Sequence, residues 1–195
     1  MHEQRTIFTV GHSTHDIDVF VELLKSRGIT AVADVRSHPV SRLRHFCRAE
    51  LERHLKNAGI DYIFLGKELG ARRDERECYV GGRAHYGRIG WLPDFRAGIE
   101  RLEKEATSQN VALMCAEKEP LDCHRTILVG RRLAANGWKI RHILADGSIE
   151  EHADTEKRLV REMGVERTLF EPDLTREELT QQAYDKRGSQ IAFRS

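Results

Sequence analysis

No stretch of this sequence approaches the roughly 18 consecutive apolar residues that a membrane-crossing helix requires. A membrane partner is therefore not expected. The opening residues Met1-His-Glu-Gln-Arg5 lead into no apolar signal region, which points to a cytoplasmic location. Cysteine is sparse: Cys47, Cys78, Cys115 and Cys123 lack the dense, regular spacing of a secreted disulfide scaffold, and in a reducing compartment they are free thiols. Internal repeats and low-complexity tracts are missing, and so are the signatures of helix-turn-helix, zinc-finger and single-strand-binding modules.

What remains is an ordinary globular composition, 39% hydrophobic and 32% charged over 195 residues, which suits one domain with its own core. The net charge of +1 conceals an uneven distribution. Eleven arginines fall between Arg36 and Arg96, whereas the chain from Glu150 onward is richer in acids. The middle segment is thus the part suited to an anionic partner, a small molecule or a nucleic acid.

Hydrophobic patterning alternates between strands and helices. Thr6–Val10, Ile29–Val35, Asp61–Leu65, Val111–Cys115 and Lys139–Ala145 read as five strands, several of them apolar nearly throughout, as in a parallel sheet covered on both faces. Between them, Val19, Phe20, Leu23 and Leu24, then Cys47, Leu51, Leu55 and Ala58, then Phe95, Ile99, Leu102 and Ala106, and finally Ile127, Leu128 and Leu133 recur at helical spacing. The expected fold is an α/β/α domain with a doubly wound, mostly parallel, five-stranded sheet over residues 1–165, and a helical extension over 166–195. In the extension Thr175-Arg-Glu-Glu178 spells a capping box, and the residues from Lys186 are expected to fray. The run from Gly66 to Leu92 has six glycines and no sustained period, so it reads as a long functional loop. In it Arg72, Arg73, Arg76, Arg83 and Arg88 alternate with Tyr79, Tyr86 and Trp91, a composition suited to clasping a phosphorylated ligand.

Every other polar cluster falls at the carboxyl end of an expected strand, where ligands of open parallel sheets bind. Gly11, His12 and Ser13 follow the first strand, Asp34 and Arg36 end the second, and Cys115 and Glu117 end the fourth. Cys123, His124 and Arg125 sit where the next helix begins, and a helix N-terminus stabilises a thiolate or an anion. Cys123 is the candidate nucleophile, His12 the candidate acid/base and Glu117 a second ionisable group that can instead orient an arginine. Gly11, Ser13, Asp34, Arg36, His124, Arg125, Arg72 and Arg73 are the candidate ligand contacts. Cys115, Cys123, His124 and His12 are metal ligands by type, but adjacent Cys-His residues seldom point at one ion, so the sequence assigns no metal and names no cofactor. Cys123 and Arg125 are separated only by His124, too close for the loops of cysteine phosphatases.

The pattern M-C-A-E-x-x-P-x-x-C-H-R, with Val10-Gly-His-Ser13 and Asp34-Val-Arg-Ser-His-Pro39, resembles a bacterial family catalogued as domain of unknown function four-eight-eight. The resemblance spans roughly residues 6 to 147. It implies the α/β fold and little chemistry, some members being labelled DNA-repair-associated. The residues themselves lead to an enzyme acting on a phosphate-bearing substrate, with a nucleic-acid-binding protein and a metal-dependent hydrolase as alternatives.

Overall fold

The computed structural model describes residues 5–167 and 173–194. Part of the expected extension, residues 168–172, lies outside them. In chain order the elements are β1 (Thr6–Gly11), α1 (Ile17–Lys25), β2 (Ala31–Asp34), α2 (Arg48–Asn57), β3 (Asp61–Phe64), α3 (Gly66–Leu69), β4 (Tyr79–Val80), β5 (Arg83–Ala84), α4 (Tyr86–Ile89), α5 (Pro93–Glu105) and β6 (Val111–Cys115). After a π-helical turn over Arg125–Gly130 come α6 (Arg131–Ala135), β7 (Lys139–Ile143), β8 (Ile149–Glu151), α7 (His152–Met163) and α8 (Arg176–Ile191).

The main sheet has the order β3-β2-β6-β1-β7-β8, parallel throughout except for β8, which runs antiparallel to β7. Strands β1, β2 and β6 are apolar along nearly their whole length because both sheet faces are covered. Phe8, Val10, Val32, Ala112 and Met114 point to one face and meet Phe20 and Leu24 of α1 and Leu51 and Leu55 of α2. Ile7, Ala31, Ala33, Val111 and Leu113 point to the other and meet Phe95, Ile99 and Leu102 of α5 and Leu133 of α6. The expected layers are thus present, with one strand more than the sequence pattern gives. The sixth strand is short, half-buried and charged, so it leaves no apolar pattern in the sequence. Val19, expected on the inward side of α1, is exposed instead.

From β1 the chain crosses to β2 on one side of the sheet, and from β6 it crosses to β7 on the other. The winding reverses between β1 and β6, which pair with Gly11 beside Cys115. Such a reversal opens a crevice at the carboxyl ends of the two strands.

The segment expected to be a long loop is compact. Gly81 and Gly82 both have positive φ, which lets β4 and β5 turn in two residues, and the short α3 and α4 flank this hairpin. The chain end is also ordered. Helix α8 begins with the Thr175–Glu178 capping box and runs through Lys186 to Ile191, and the Ala84 N–H then donates to the Phe193 carbonyl. Leu159, Met163, Ala183 and Tyr184 of α7 and α8 pack on Leu121 and Ile127, so the last helix is fastened to the loop that follows β6. No helix among the described residues is long and apolar enough to cross a membrane.

A buried chain of hydrogen bonds ties α8 back to the sheet. Thr9 Oγ1 lies 2.8 Å from His142 Nδ1, His142 Nε2 lies 3.0 Å from His152 Nδ1, and His152 Nε2 lies 3.1 Å from the Tyr184 hydroxyl, which donates to Glu156. One set of protons satisfies the whole chain: the Thr9 hydroxyl donates to His142, His142 to His152 and His152 to Tyr184 oxygen. Both rings are then neutral; a further proton on His152 would set two N–H groups face to face, and one on His142 would displace the Thr9 hydroxyl proton. Burial holds His142 well below the ordinary histidine range, with His152, Arg125 and Arg158 adding to the effect, and burial lowers His152 as well. Groups with depressed folded-state pKa values bind fewer protons folded than unfolded, so their contribution is whole above the unfolded pKa of about 6.5 and is lost progressively below it. Folding stability from urea titrations is therefore expected to fall between about pH 7.5 and 5.5. His142→Asn should be less stable at neutral pH by about 1–3 kcal/mol and show a flatter acid limb; equal acid limbs in the two proteins would refute this account.

Candidate functional site

The carboxyl edge of β1, β2 and β6 is built around one close approach. Gly11 ends β1 against the Glu117 carbonyl, which would lie 1.9 Å from any Cβ placed there. Pairing continues past the strand ends, with the His12 N–H on the Cys115 carbonyl at 2.9 Å and the Ser13 N–H on the Ala116 carbonyl at 3.0 Å. Ser13 takes a positive φ of 47°, the only such non-glycine residue among those described. Beyond Ala116 the chain leaves the sheet, and its carbonyls need new donors. Arg125 supplies them from below: fully buried, it donates to the Glu117 carbonyl at 2.6 Å and the Lys118 carbonyl at 3.2 Å. Its guanidinium is therefore withheld from any ligand, and its partners are carbonyls, not the Glu117 carboxylate.

Asp34 and Arg36 form a fixed pair. Arg36 Nε and Nη2 meet the two carboxylate oxygens at 2.9 and 2.6 Å, and the Tyr62 hydroxyl adds a bond to Asp34 at 2.8 Å. Arg36 Nη1 donates to the Phe46 carbonyl at 2.9 Å and sits 3.2 Å from His12 Nε2. The other ring nitrogen of His12 faces the Ser13 carbonyl at 3.0 Å, and the ring stacks on Phe46. A carbonyl can only accept and a guanidinium can only donate, so Nδ1 carries the proton and the Nε2 lone pair is taken. Burial, with the Arg36 charge next, brings His12 down to about 4. His12 is a neutral brace between β1 and the Asp34–Arg36 pair, and that geometry leaves no free nitrogen for acid/base work.

The reactive groups converge one step further along the edge. Cys123 Sγ donates to Glu117 Oε2 at 2.9 Å, and His124 Nδ1 faces Cys115 Sγ at 3.7 Å and Cys123 Sγ at 3.9 Å. His124 Nε2 lies 2.9 Å from the Val35 carbonyl, so it bears a proton and the Nδ1 edge is turned to the sulfurs. The backbone N–H of Arg125 also points at Cys123 Sγ, 3.4 Å away. Both cysteines are nearly sealed: Cys123 is 1% accessible and Cys115 is 3%. Although burial pushes the Cys123 thiol up, the neighbouring Cys115 thiol, Arg125 and His124 together hold it well below the cysteine range. Its hydrogen bond with Cys123, together with burial, drives Cys115 the other way. Burial and the Cys123 charge raise Glu117, and contact with Cys123 outweighs burial to raise His124.

Over this cluster lies a cleft of about 470 Å³. Cys115, Glu117 and His124 border it, Arg36 and Arg72 contribute cationic groups, and Tyr86 and Phe193 supply aromatic walls. Arg72 reaches it with its guanidinium over the Phe193 ring at 4.5 Å, while its backbone N–H is fixed by Ser37. Arg73 does not reach it: its guanidinium is bound to both Glu75 oxygens and to the Lys67 and Glu68 carbonyls. Arg83 and Arg88 are likewise bound to the Ser189 and Glu77 carbonyls. The site thus brings together Glu117, Cys123, His124, Arg36 and Arg72, with Gly11, Ser13 and Asp34 shaping its edge. The wall residue that the sequence conceals is Phe193, which follows the last helix. The role of Cys115 as a partner of His124 was signalled only by its place at the end of β6.

Two substitutions test the scaffold. Arg125→Met leaves two part-buried carbonyls without these donors and should cost on the order of 2 kcal/mol. Gly11→Ala forces the Glu117 carbonyl away and should cost roughly 2–3 kcal/mol. Urea denaturation measures both, and wild-type stability in either variant would show that the loop is not held in this way.

Residues 16–131 match the profile of the domain of unknown function DUF488. No curated protein and no solved structure matches the chain. The matched stretch covers well over half of the chain and takes in β2, β6 and the whole loop from Cys115 to Arg125, and on that ground the protein belongs to the DUF488 family.

Proposed function

We propose that this protein is an enzyme acting on a phosphate-bearing substrate, a nucleotide or a component of nucleic acid, in the cleft over β1 and β6. The observation that carries the reading is the meeting of two kinds of group in one cleft: Cys115, Glu117 and His124 on its floor, and Arg72 with Tyr86 and Phe193 on its walls. Ionisable groups packed at hydrogen-bonding distance are chemical equipment, and an arginine beside aromatic rings suits a ligand with a phosphate and a planar base. The size of the cleft suits a mononucleotide better than a long strand. Arg73, Arg83 and Arg88 are engaged within the fold, which weighs against an extended nucleic-acid surface.

Glu117 is the acid/base candidate that the geometry favours, because it borders the cleft and burial, with the Cys123 charge next, raises its pKa. Arg72 is the phosphate contact. The experiment is a thermal-shift screen of nucleotides and sugar phosphates, followed by turnover assays on whatever stabilises the fold. A ligand at about a hundred times its Kd adds roughly 2.7 kcal/mol of stability, a shift of several degrees for a chain of this size. Arg72→Ala should abolish that shift. Glu117→Gln should keep the shift and lose turnover at least a hundredfold. If no anionic compound stabilises the protein, or Arg72→Ala responds as wild type does, the proposal falls.

A further inference from the structure

We infer that Cys115, Cys123 and His124 form a binding site for a zinc ion, with a fourth coordination position open toward the cleft. The inference deepens the enzyme reading of the same cleft, and rests on it only for the chemistry of that fourth position. Its basis is the mutual placement of three donor atoms. Cys115 Sγ, Cys123 Sγ and His124 Nδ1 all lie within 4.8 Å of one another, with sulfur-to-nitrogen separations of 3.7 and 3.9 Å. A tetrahedral zinc with Zn–S near 2.3 Å and Zn–N near 2.0–2.1 Å needs its sulfur and nitrogen ligands roughly 3.5 Å apart. Contraction by a few tenths of an ångström brings both sulfur-to-nitrogen separations to that value.

Three further features fit a metal better than a free thiol nucleophile. His124 donates its Nε2 proton to the Val35 carbonyl, the outer contact that fixes a ligating imidazole and turns its other nitrogen to the ion. Two buried thiols packed against a buried imidazole crowd ionisable groups together, and a divalent cation between two thiolates cancels their charge. Cys123 is 1% accessible and does not border the cleft, so a substrate cannot reach its sulfur. Cys115 and His124 do border it, and an ion held between them and Cys123 sits at the cleft floor. Thiolate and imidazole donors favour zinc over calcium or magnesium, and a site with three protein ligands is the pattern of a catalytic ion.

The fourth position is suited to water. Glu117, whose carboxylate lies 2.9 Å from Cys123 Sγ, is placed beside that water to accept one of its protons. The resulting hydroxide attacks the electrophilic centre of the substrate, the bond to the leaving group breaks, and Glu117 returns the proton to that group. Water is the sole co-reactant and no electron is transferred, so the reaction class is hydrolysis.

The test uses the full chain, purified reduced and without chelators, with metal counted by mass spectrometry and cobalt(II) added to the metal-stripped protein. The expected result is one zinc per chain and, with cobalt, a thiolate charge-transfer band together with the strong visible bands of a tetrahedral ion. Cys115→Ser, Cys123→Ser and His124→Ala should each lose metal and alter the cobalt spectrum, while Cys47→Ser and Cys78→Ser should leave both unchanged. Where a ligand variant does not fold, as judged by circular dichroism, the cobalt spectrum of wild type alone decides, because the thiolate band reports sulfur coordination in the native chain. Wild type without stoichiometric metal and without thiolate bands would overturn the site, as would an unchanged spectrum in folded Cys123→Ser. Metal bound without turnover of any phosphate compound would uphold the site and remove the enzyme reading. Turnover by protein that shows no cobalt band would do the reverse.

Discussion

The buried guanidinium of Arg125 holds the loop from which the reactive side chains of the cleft are hung. Once β6 ends at Cys115, the backbone at Glu117 and Lys118 has left the sheet, and its part-buried carbonyls need new donors. Arg125 answers both, and it does so from the start of the following helical segment, closing the loop on itself. Gly11 makes this possible from the other side, because any side chain there would occupy the space of the Glu117 carbonyl. A planar, always-charged group with several fixed donors suits this task, where a lysine would satisfy fewer carbonyls and would be more costly to bury. With the loop fixed, Glu117, Cys123 and His124 are brought to positions set by the backbone and not by their own rotamers alone.

Beside the loop, the polar residues divide into those that hold and those that face outward. Asp34, Arg36, Tyr62 and His12 saturate one another, so this corner carries charge without offering a free proton acceptor. The second cluster differs in kind. Its sulfurs, carboxyl and imidazole lie within reach of one another but have more lone pairs and protons than partners, the condition under which pKa values separate: Cys123 goes down while Cys115 goes up. A saturated network next to an unsaturated one on the same edge is how a fold keeps a working site rigid without disabling it.

The architecture was legible in the sequence where long apolar strands and helical periods gave an unambiguous signal, as in β1, β2, β6 and α5. It was illegible where burial was partial. β8 is three residues of mixed character, and the inward stripe of α7, His152, Thr155, Leu159 and Met163, keeps helical spacing but is half polar, so a count of apolar residues alone passes over it. The Gly66–Leu92 segment hid its structure in glycines that enable a tight hairpin, a composition shared with disordered loops. For the site, proximity could be read because parallel strands bring their carboxyl ends to one edge. Role could not, since whether His12 is a base or a brace depends on which atoms face its two nitrogens, and that is set by Arg36 and the Ser13 carbonyl in three dimensions. The arginine-rich middle illustrates the same limit: Arg72 faces the cleft and Arg73 next to it is bound into the fold.

The end of the chain completes the argument about how the cleft is made. Ile191, the last residue of α8, and Phe193, just beyond it, wall the cleft, far in sequence from β1 and β6. What fixes α8 is the Tyr184 contact at the end of the Thr9–His142–His152 chain, its packing on Leu121 and Ile127, and Arg187, which binds the Leu121 carbonyl and the Asp122 side chain. Each of these partners lies in β1, in β7, in α7, in the loop after β6 or in the π-helical turn that follows it. The loop that carries Glu117 and Cys123 is therefore clasped from below by Arg125 and from outside by α8, and the aromatic wall is placed by the same helix that clasps it. A change that loosens α8 must then enlarge the cleft and free the loop together, so ligand fit and loop order are mechanically one property of this fold.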